Sequence, residues 1–320
     1  MRIGVTLPIG GPEANPTNLS RIGKNAEAFG FHSLWTYDRL LYAVEPRNPY
    51  GGKTPWPEVF KYTADPLDTL TFIAAQTEKI ALGTSVLNAP FYNPVLLARR
   101  LTTIDVLSNG RLKVGLGLGW SEDEFTAVGV PMKQRGRRMD EFLTLLKAIW
   151  TENPVSFDGE FYQLPPSLFH LKPVQKPHPP IYLGTFNTRG LKRAATLANG
   201  WNPSGIGIEQ IRTMGNQMRS FAAEAGRDPS ELGIVLRTSI QISDTPGSKN
   251  RRLLRGTEEQ VQADLRALAE AGVDEIISGI GTLGTTDGLT VDEYVDRMEQ
   301  ISQLLLGQHG QQPTTMNENL

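Results

Sequence analysis

The sequence predicts an α/β fold, a (β/α)8 barrel of eight short strands, each followed by a helix. Three observations predict it. Strand patterns and helical patterns alternate over almost the whole chain, with no composition break to mark a second domain. One unit, residues 79–120, is punctuated at every boundary. Two long excursions, 41–65 and 121–180, follow the second and fourth strands and so fall on the same end of the barrel.

The elements follow in order. Residues 3–7 alternate as a first strand, and 19–29 form an amphipathic helix stopped by Gly30. A second strand covers 33–37, and a helix covers 66–77. In the 79–120 unit, Ile80, Leu82 and Val86 mark a buried strand. Asn93 is a helix N-cap with Pro94 at the first position, where a missing N–H costs nothing. Leu97, Leu101 and Ile104 keep the helical period, and Asn109-Gly110 ends it. Residues 111–118 alternate strictly, with Leu112, Val114, Leu116 and Leu118 on one face and Gly115, Gly117 and then Gly119 on the other. A bare strand face lets something approach its backbone closely. Beyond it lie a long helix at 138–150, a hairpin at 155–164 around Asp158-Gly159, and a strand at 181–184. A helix at 190–198, a strand at 201–202 and a helix at 208–225 follow. A strand at 232–242, a helix at 258–271 capped by Thr257, a strand at 274–277 and a helix at 291–306 complete the count. The expected domain is 1–306, and the polar stretch 307–320 lacks periodicity and reads as a disordered tail.

A chain of 320 residues with 39% hydrophobic content buries a large core. No apolar run reaches the roughly 18–20 residues of a membrane helix, and the start MRIGVTLPIGG is strand-like and unlike a signal peptide. A cytoplasmic location is the expectation. Zero cysteines exclude disulfides, thiolate metal sites and a cysteine nucleophile. A net charge of −2 gives no bulk attraction to nucleic acid.

The chemistry-bearing segments are few. Gly115-Leu-Gly117-Leu-Gly119 nearly matches a dinucleotide fingerprint, but Trp120 stands beyond it and no helix starts at once. The stretch from Gly184 to Gly190, with Thr185, Asn187 and Thr188, follows a strand and opens a helix. It is either an anion cradle, with Arg193 one turn on, or a plain turn. Asp38 closes the second strand and either contacts a ligand or pairs locally, as a cap or with Arg39. Ser85-Val86 ends the third strand at the barrel mouth or simply turns the chain. Arg135, Arg137 and Arg138 open the long helix, either as a solvated face or as a site for an anionic tail. His32, His170, His178 and His309 show no metal-ligand spacing, and there is no nucleophile elbow or P-loop. Such a chain takes its chemistry from a bound cofactor.

These residues, in this order, resemble the luciferase-like flavin and deazaflavin oxidoreductases. The resemblance covers roughly 1–305. It is carried by AEAFGFHSLWTYD, LGTSVLNAPFYNPVLLARRLTTIDVLSNGRLKVGLGLGWSEDEF, RGRRMDEFLTLLKAIW with VSFDGEFY, and PIYLGTFNTRGLKRAA leading to NGW. The stretch GVPMKQRGRRMDE is most similar to the branch that uses coenzyme F420. The resemblance implies Asp38 beside the cofactor ring, a non-prolyl cis peptide at Ser85-Val86 behind it, and a polar ring contact from Asn88. It implies close approach at Gly117 and Gly119, the phosphate at the loop with Gly184, Thr185, Asn187 and Gly190, and a homodimer. Arg137 with its neighbours would meet the acidic tail of F420.

The chain departs from the family's sugar-phosphate dehydrogenases. It has Arg39 where they carry histidine, Trp120 where they carry glutamate, and Asp123 where they carry asparagine. The expected substrate is therefore a small, rather apolar organic molecule, in a pocket walled by Trp120 beside Tyr42, Tyr50 and Trp56. Asp38, Tyr42 and Glu122 are the candidate proton donors. The expected reaction is hydride transfer with F420. The alternatives are an FMN-dependent monooxygenase of the same family and a flavin-binding protein without turnover.

Overall fold

Eight parallel strands close on themselves in the computed structural model, which describes residues 1–248 and 250–309. They are β1 (Arg2–Thr6), β2 (Ser33–Thr36), β3 (Ala81–Thr84), β4 (Leu112–Gly117), β5 (Ile181–Gly184), β6 (Gly200–Trp201), β7 (Gly233–Thr238) and β8 (Glu275–Ser278). Each pairs in parallel with its successor, and β1 pairs with both β2 and β8, with Ile3 opposite Ile276. This is a TIM barrel. Helices α1 (Pro16–Ala28), α2 (Pro66–Ala74), α3 (Pro94–Leu107), α4 (Glu122–Ala127), α5 (Arg135–Thr151), α6 (Thr188–Leu197), α7 (Ile208–Glu224) and α8 (Glu258–Glu270) link the strands, and α9 (Val291–His309) follows the last one. No helix among the described residues is long and apolar enough to cross a membrane.

Local chemistry explains the boundaries. Asn93 caps α3 by accepting from the N–H of Val95 at 2.9 Å, with Pro94 at the first position. Asn109 and Gly110 leave the helix with positive φ. Leu112, Val114 and Leu116 are fully buried against the outer helical layer, on the face the alternation predicts. The hairpin pairs Val155–Asp158 with Gln163–Ser167.

Some expected boundaries move. The seventh strand ends at Thr238 rather than 242. Gln241–Ile242 leaves the barrel to pair with Arg255–Gly256, because the N–H of Gln241 finds the Leu254 carbonyl at 2.9 Å. The third strand is interrupted after Thr84 and resumes at Leu87–Asn88 against β4. Helix α4 was not expected, although Ser121 caps it and three acidic residues fill its first turn. Residues 307–309 continue α9, and the rest of the expected tail, 310–320, lies outside the described residues.

The barrel's interior has its own packing. Trp35, Tyr182, Val235 and Ile277 form a buried cluster separate from the outer core. Gly83 makes room for Trp35, since a Cβ there would stand 2.4 Å from the indole. Below this layer Lys113 Nζ lies 2.5 Å from Glu275 Oε2. Ser33 donates to Glu275, and Trp35 Nε1 donates to Ser33 Oγ at 2.6 Å. The lower barrel is thus sealed by apolar rings over a satisfied polar cluster.

Candidate functional site

At the opposite end, where barrel active sites sit, the strand ends surround a cavity of about 650 Å3. Six strand ends contribute the residues that matter, β6 through Asn202. From the end of β2 come Tyr37, Asp38 and Arg39; from β3 come Ser85, Val86 and Asn88. From β4 come Gly117, Gly119 and Trp120, from β5 Gly184 and Phe186, and from β7 Arg237. Tyr50 and Phe60, from the first long excursion, close one side.

The bare face of β4 has a different occupant from the one the sequence implied. A Cβ on Gly115 would fall 1.9 Å from the carbonyl oxygen of Thr84. One on Gly117 would fall 2.6 Å from Val86. The chain's own β3 end fills the space, so these glycines position the Ser85-Val86 step, and only Gly117 and Gly119 also face the cavity. The Ser85-Val86 peptide is cis. Its Ser85 side is held by two residues to which the sequence reading gave no site role. Arg237 Nη1 donates to the Ser85 carbonyl at 3.0 Å, and Ser85 Oγ donates to Asn202 Oδ1 at 2.7 Å. Arg237 was legible as a cation near the C-terminal end of an apolar barrel strand, GIVLRT.

Asp38 neither caps a helix nor pairs with Arg39 through its carboxylate. Its Oδ2 accepts from the N–H of Asn88 at 2.9 Å and from the Tyr92 hydroxyl at 3.2 Å. Burial pushes its carboxyl above the ordinary range, although those two donors and Arg39 act against the shift. Asn88 Nδ2 is buried without a protein partner. That orphaned donor on the cavity wall fits a ring carbonyl.

Arg39 donates through Nε to the Asp38 carbonyl at 3.2 Å and sends its guanidinium into an aromatic box. Its guanidinium lies 4.9 Å from the Trp120 ring centre and 5.3 Å from that of Phe60. Nη2 stands 3.2 Å from Glu124 Oε2 on α4. Burial raises the Glu124 carboxyl, with Arg39 opposing. Trp120 packs on Trp56 at 5.2 Å and on Tyr50 at 5.6 Å, which gives the apolar wall the sequence implied.

Two expected proton donors lie elsewhere. Tyr42 stacks edge-on against Trp56, its hydroxyl 3.4 Å from the Trp56 carbonyl, and it does not line the cavity. Glu122 is exposed at the start of α4, where its carboxylate accepts from Asn48 at 3.3 Å. The helix cap explains the difference: Ser121 ends the loop early and turns Glu122 outward.

The loop before α6 is tightly closed. Asn187 is the N-cap, and its Oδ1 accepts from the Gly190 N–H at 2.9 Å. The Thr185 side chain packs where a Gly190 Cβ would be, and its carbonyl accepts from Trp201 Nε1 at 2.9 Å. Arg193 is committed to Asp140 at 2.5 Å and to the Gly136 carbonyl at 2.9 Å. The crevice between this loop and β4 holds only about 10 Å3, which is less than a phosphate needs. On α5, Arg137 is exposed and paired with Glu160, while Arg138 lies over the Phe161 ring at 4.8 Å. Among the described residues no group of three or more His, Cys, Asp or Glu is arranged to hold a metal.

Comparison with known proteins agrees with this architecture. A luciferase-like monooxygenase family model matches residues 1–255. An FMNH2-dependent dimethylsulfone monooxygenase of Pseudomonas putida is 30% identical over 213 residues, 66% of this chain and 54% of that protein. An F420-dependent glucose-6-phosphate dehydrogenase of Amycolatopsis mediterranei is 31% identical over 199 residues, 61% and 55% of the two chains. The crystal structure of the monooxygenase RslO1 from Streptomyces bottropensis superposes with a TM-score of 0.81 at 24% identity, over 97% of this chain and all of that one. The match over 255 residues and the closed barrel lead to one assignment: this chain belongs to the luciferase-like monooxygenase family.

Proposed function

We propose that this protein is an oxidoreductase that transfers a hydride between coenzyme F420 and a small, largely apolar organic substrate. The observation that carries the reading is the composition of the cavity wall. It presents a carboxyl, two guanidiniums, phenols and aromatic rings, but no nucleophile paired with a base. Chemistry there must come from a bound redox cofactor.

When bound, the deazaflavin gives or takes the hydride. Asn88 Nδ2 would donate to a ring carbonyl, and the Ser85-Val86 step, braced by Arg237 and Asn202, would support one face. Gly117 and Gly119 would admit the ring, and the Gly184–Gly190 turn would meet the phosphate on its outer, Phe186 side, since the inner crevice is closed. Trp120, Tyr50 and Phe60 would keep water from the substrate. Asp38 would hold a proton at the oxygen not engaged by Asn88 and Tyr92. Its carboxyl, raised by burial, suits that task. As in the related enzymes of the resemblance, the protein would act as a cytoplasmic homodimer.

A second reading, an FMN-dependent monooxygenase, is favoured by one feature of α5. Arg137, the expected partner of the acidic F420 tail, is already paired with Glu160. Fluorescence titration with oxidised F420 and with FMN separates the two. F420 is expected to bind at micromolar concentrations. Binding of FMN alone would overturn the leading reading, and binding of neither would overturn both.

A further inference from the structure

The barrel mouth has a second compartment. A cavity of about 370 Å3 opens between the ends of β7, β8 and β1. It shares Tyr37, Phe60 and Arg237 with the main cavity. The wall between the two is therefore the Arg237 guanidinium stacked 5.6 Å from the Tyr37 ring centre. On its far side stands Arg255, which also borders a neighbouring hollow with Arg297.

Among the described residues no carboxylate lines this compartment. Neither Arg237 nor Arg255 is paired with a carboxylate among the described residues. Two arginines thus line one space in a chain whose net charge is −2. Elsewhere in the barrel, inward cations are neutralised: Lys113 by Glu275 and Arg39 by Glu124. The exception marks a place where the counter-charge comes from outside the protein.

We infer that this compartment binds the carboxylate of the substrate, whose apolar reacting part lies in the aromatic box. The inference rests on the proposed function and adds the substrate class: an apolar acid. The geometry of Arg237 suits the two oxygens of a carboxylate. Arg237 spends Nη1 on Ser85 and keeps Nε and Nη2 as a fork that fits two oxygens. Ser239 Oγ donates to the Gly279 carbonyl at 2.9 Å, and the Thr282 hydroxyl is bonded to that of Thr285 at 2.9 Å. Thr238 and Gln241 line the same space and complete its polar wall.

Calorimetric titration of the whole protein tests this, with and without oxidised cofactor. The probes are hydrocinnamate, its uncharged amide hydrocinnamide, and phenethyl phosphate. Hydrocinnamate should bind at least about tenfold more tightly than the amide, as a charge-assisted pair predicts. Arg255→Met should reduce that preference to within about threefold, and Arg255→Lys should retain part of it. Equal binding of acid and amide to the wild type overturns the inference, and that comparison needs no variant. So does a preference that survives in a folded Arg255→Met protein, or tighter binding of the phosphate. Loss of hydrocinnamate binding on loading with F420, but not with FMN, would assign the compartment to the cofactor's acidic tail and overturn it too. The acid preference of the unloaded protein is independent of the cofactor titration, so the two readings fail separately.

Discussion

The two ends of the barrel both bury charge, and they treat it differently. At the closed end Glu275 receives Lys113, Ser33 and the edge of His32, and Ser33 receives Trp35. At the open end Asn88 Nδ2 and Arg39 Nη1 are buried without hydrogen-bond partners. Among the described residues Arg237 has no carboxylate partner. A buried polar group left unpaired costs stability unless something else satisfies it. The contrast teaches that one end is built for the fold and the other for a visitor.

The closed end should give the largest effect. Lys113→Met leaves Glu275 as a buried charge and should cost about 3–5 kcal/mol in urea melts. The double variant Lys113→Met with Glu275→Met should recover much of the loss. Equal stability of the single variant and the wild type would show that the cluster is not structural. The same cluster sets a pH signature. Burial alone would raise the Glu275 carboxyl, but Lys113, Ser33 and His32 outweigh it and hold it below its ordinary value. A lowered carboxyl contributes stability above its unfolded pKa, about 4.3, and loses it as pH falls through the folded one. Acid unfolding should therefore be shallower in the double variant.

Two glycines sharpen the contrast. Gly83→Ala meets Trp35 in the closed layer, and Gly115→Ala meets the Thr84 carbonyl just below the cavity. Both should lose about 1–3 kcal/mol through overpacking. Only Gly115→Ala should also weaken cofactor binding, because it displaces the end of β3. Equal cofactor affinity in the two variants would show that the β3 end does not touch the cofactor.

Asp38→Asn should act in the opposite sense on stability. A carboxyl raised by burial contributes stability that is full below its unfolded pKa, about 3.9, and lost as pH rises through the folded one. Above that folded pKa its charge is a net burden, so there the amide variant should be as stable as the wild type or up to about 1 kcal/mol more so. Turnover should fall by about 10²–10⁴ if Asp38 holds the proton. Wild-type turnover should decline as pH rises through that raised pKa, and this limb should vanish in the variant. A limb that persists moves the proton elsewhere.

The sequence made the frame legible because its punctuation is local. Asn93-Pro94 and Asn109-Gly110 act within one turn, and the 112–116 alternation reports a face directly. It hid what depends on distant pairing. Nothing near Gly115 announces the Thr84 carbonyl, 31 positions away, and so the bare face read as room for a ligand. Tyr42 and Glu122 looked like acids because they flank the right strands, yet a helix cap and one aromatic contact turn them aside. Arg39 was noticed as a departure, but its partner Glu124 lies on a helix the periodicity did not show. Arg237 had a local signal, a cation in an apolar strand, that was not weighed.

The smallest expected effect tests the choice of cofactor. Arg137 is 63% exposed in its pair with Glu160, and exposed pairs contribute roughly 0–1 kcal/mol. Arg137→Ala should leave stability within about 0.5 kcal/mol of the wild type. A guanidinium held so weakly can exchange Glu160 for an acidic tail at little cost. The variant should then bind F420 about two- to fivefold more weakly, the span of such a contact, and the difference should fade at high salt as screening shortens its reach. FMN, which carries no such tail, should bind both proteins alike. If F420 affinity does not change, Arg137 belongs to Glu160 and the case for the deazaflavin loses its support on α5.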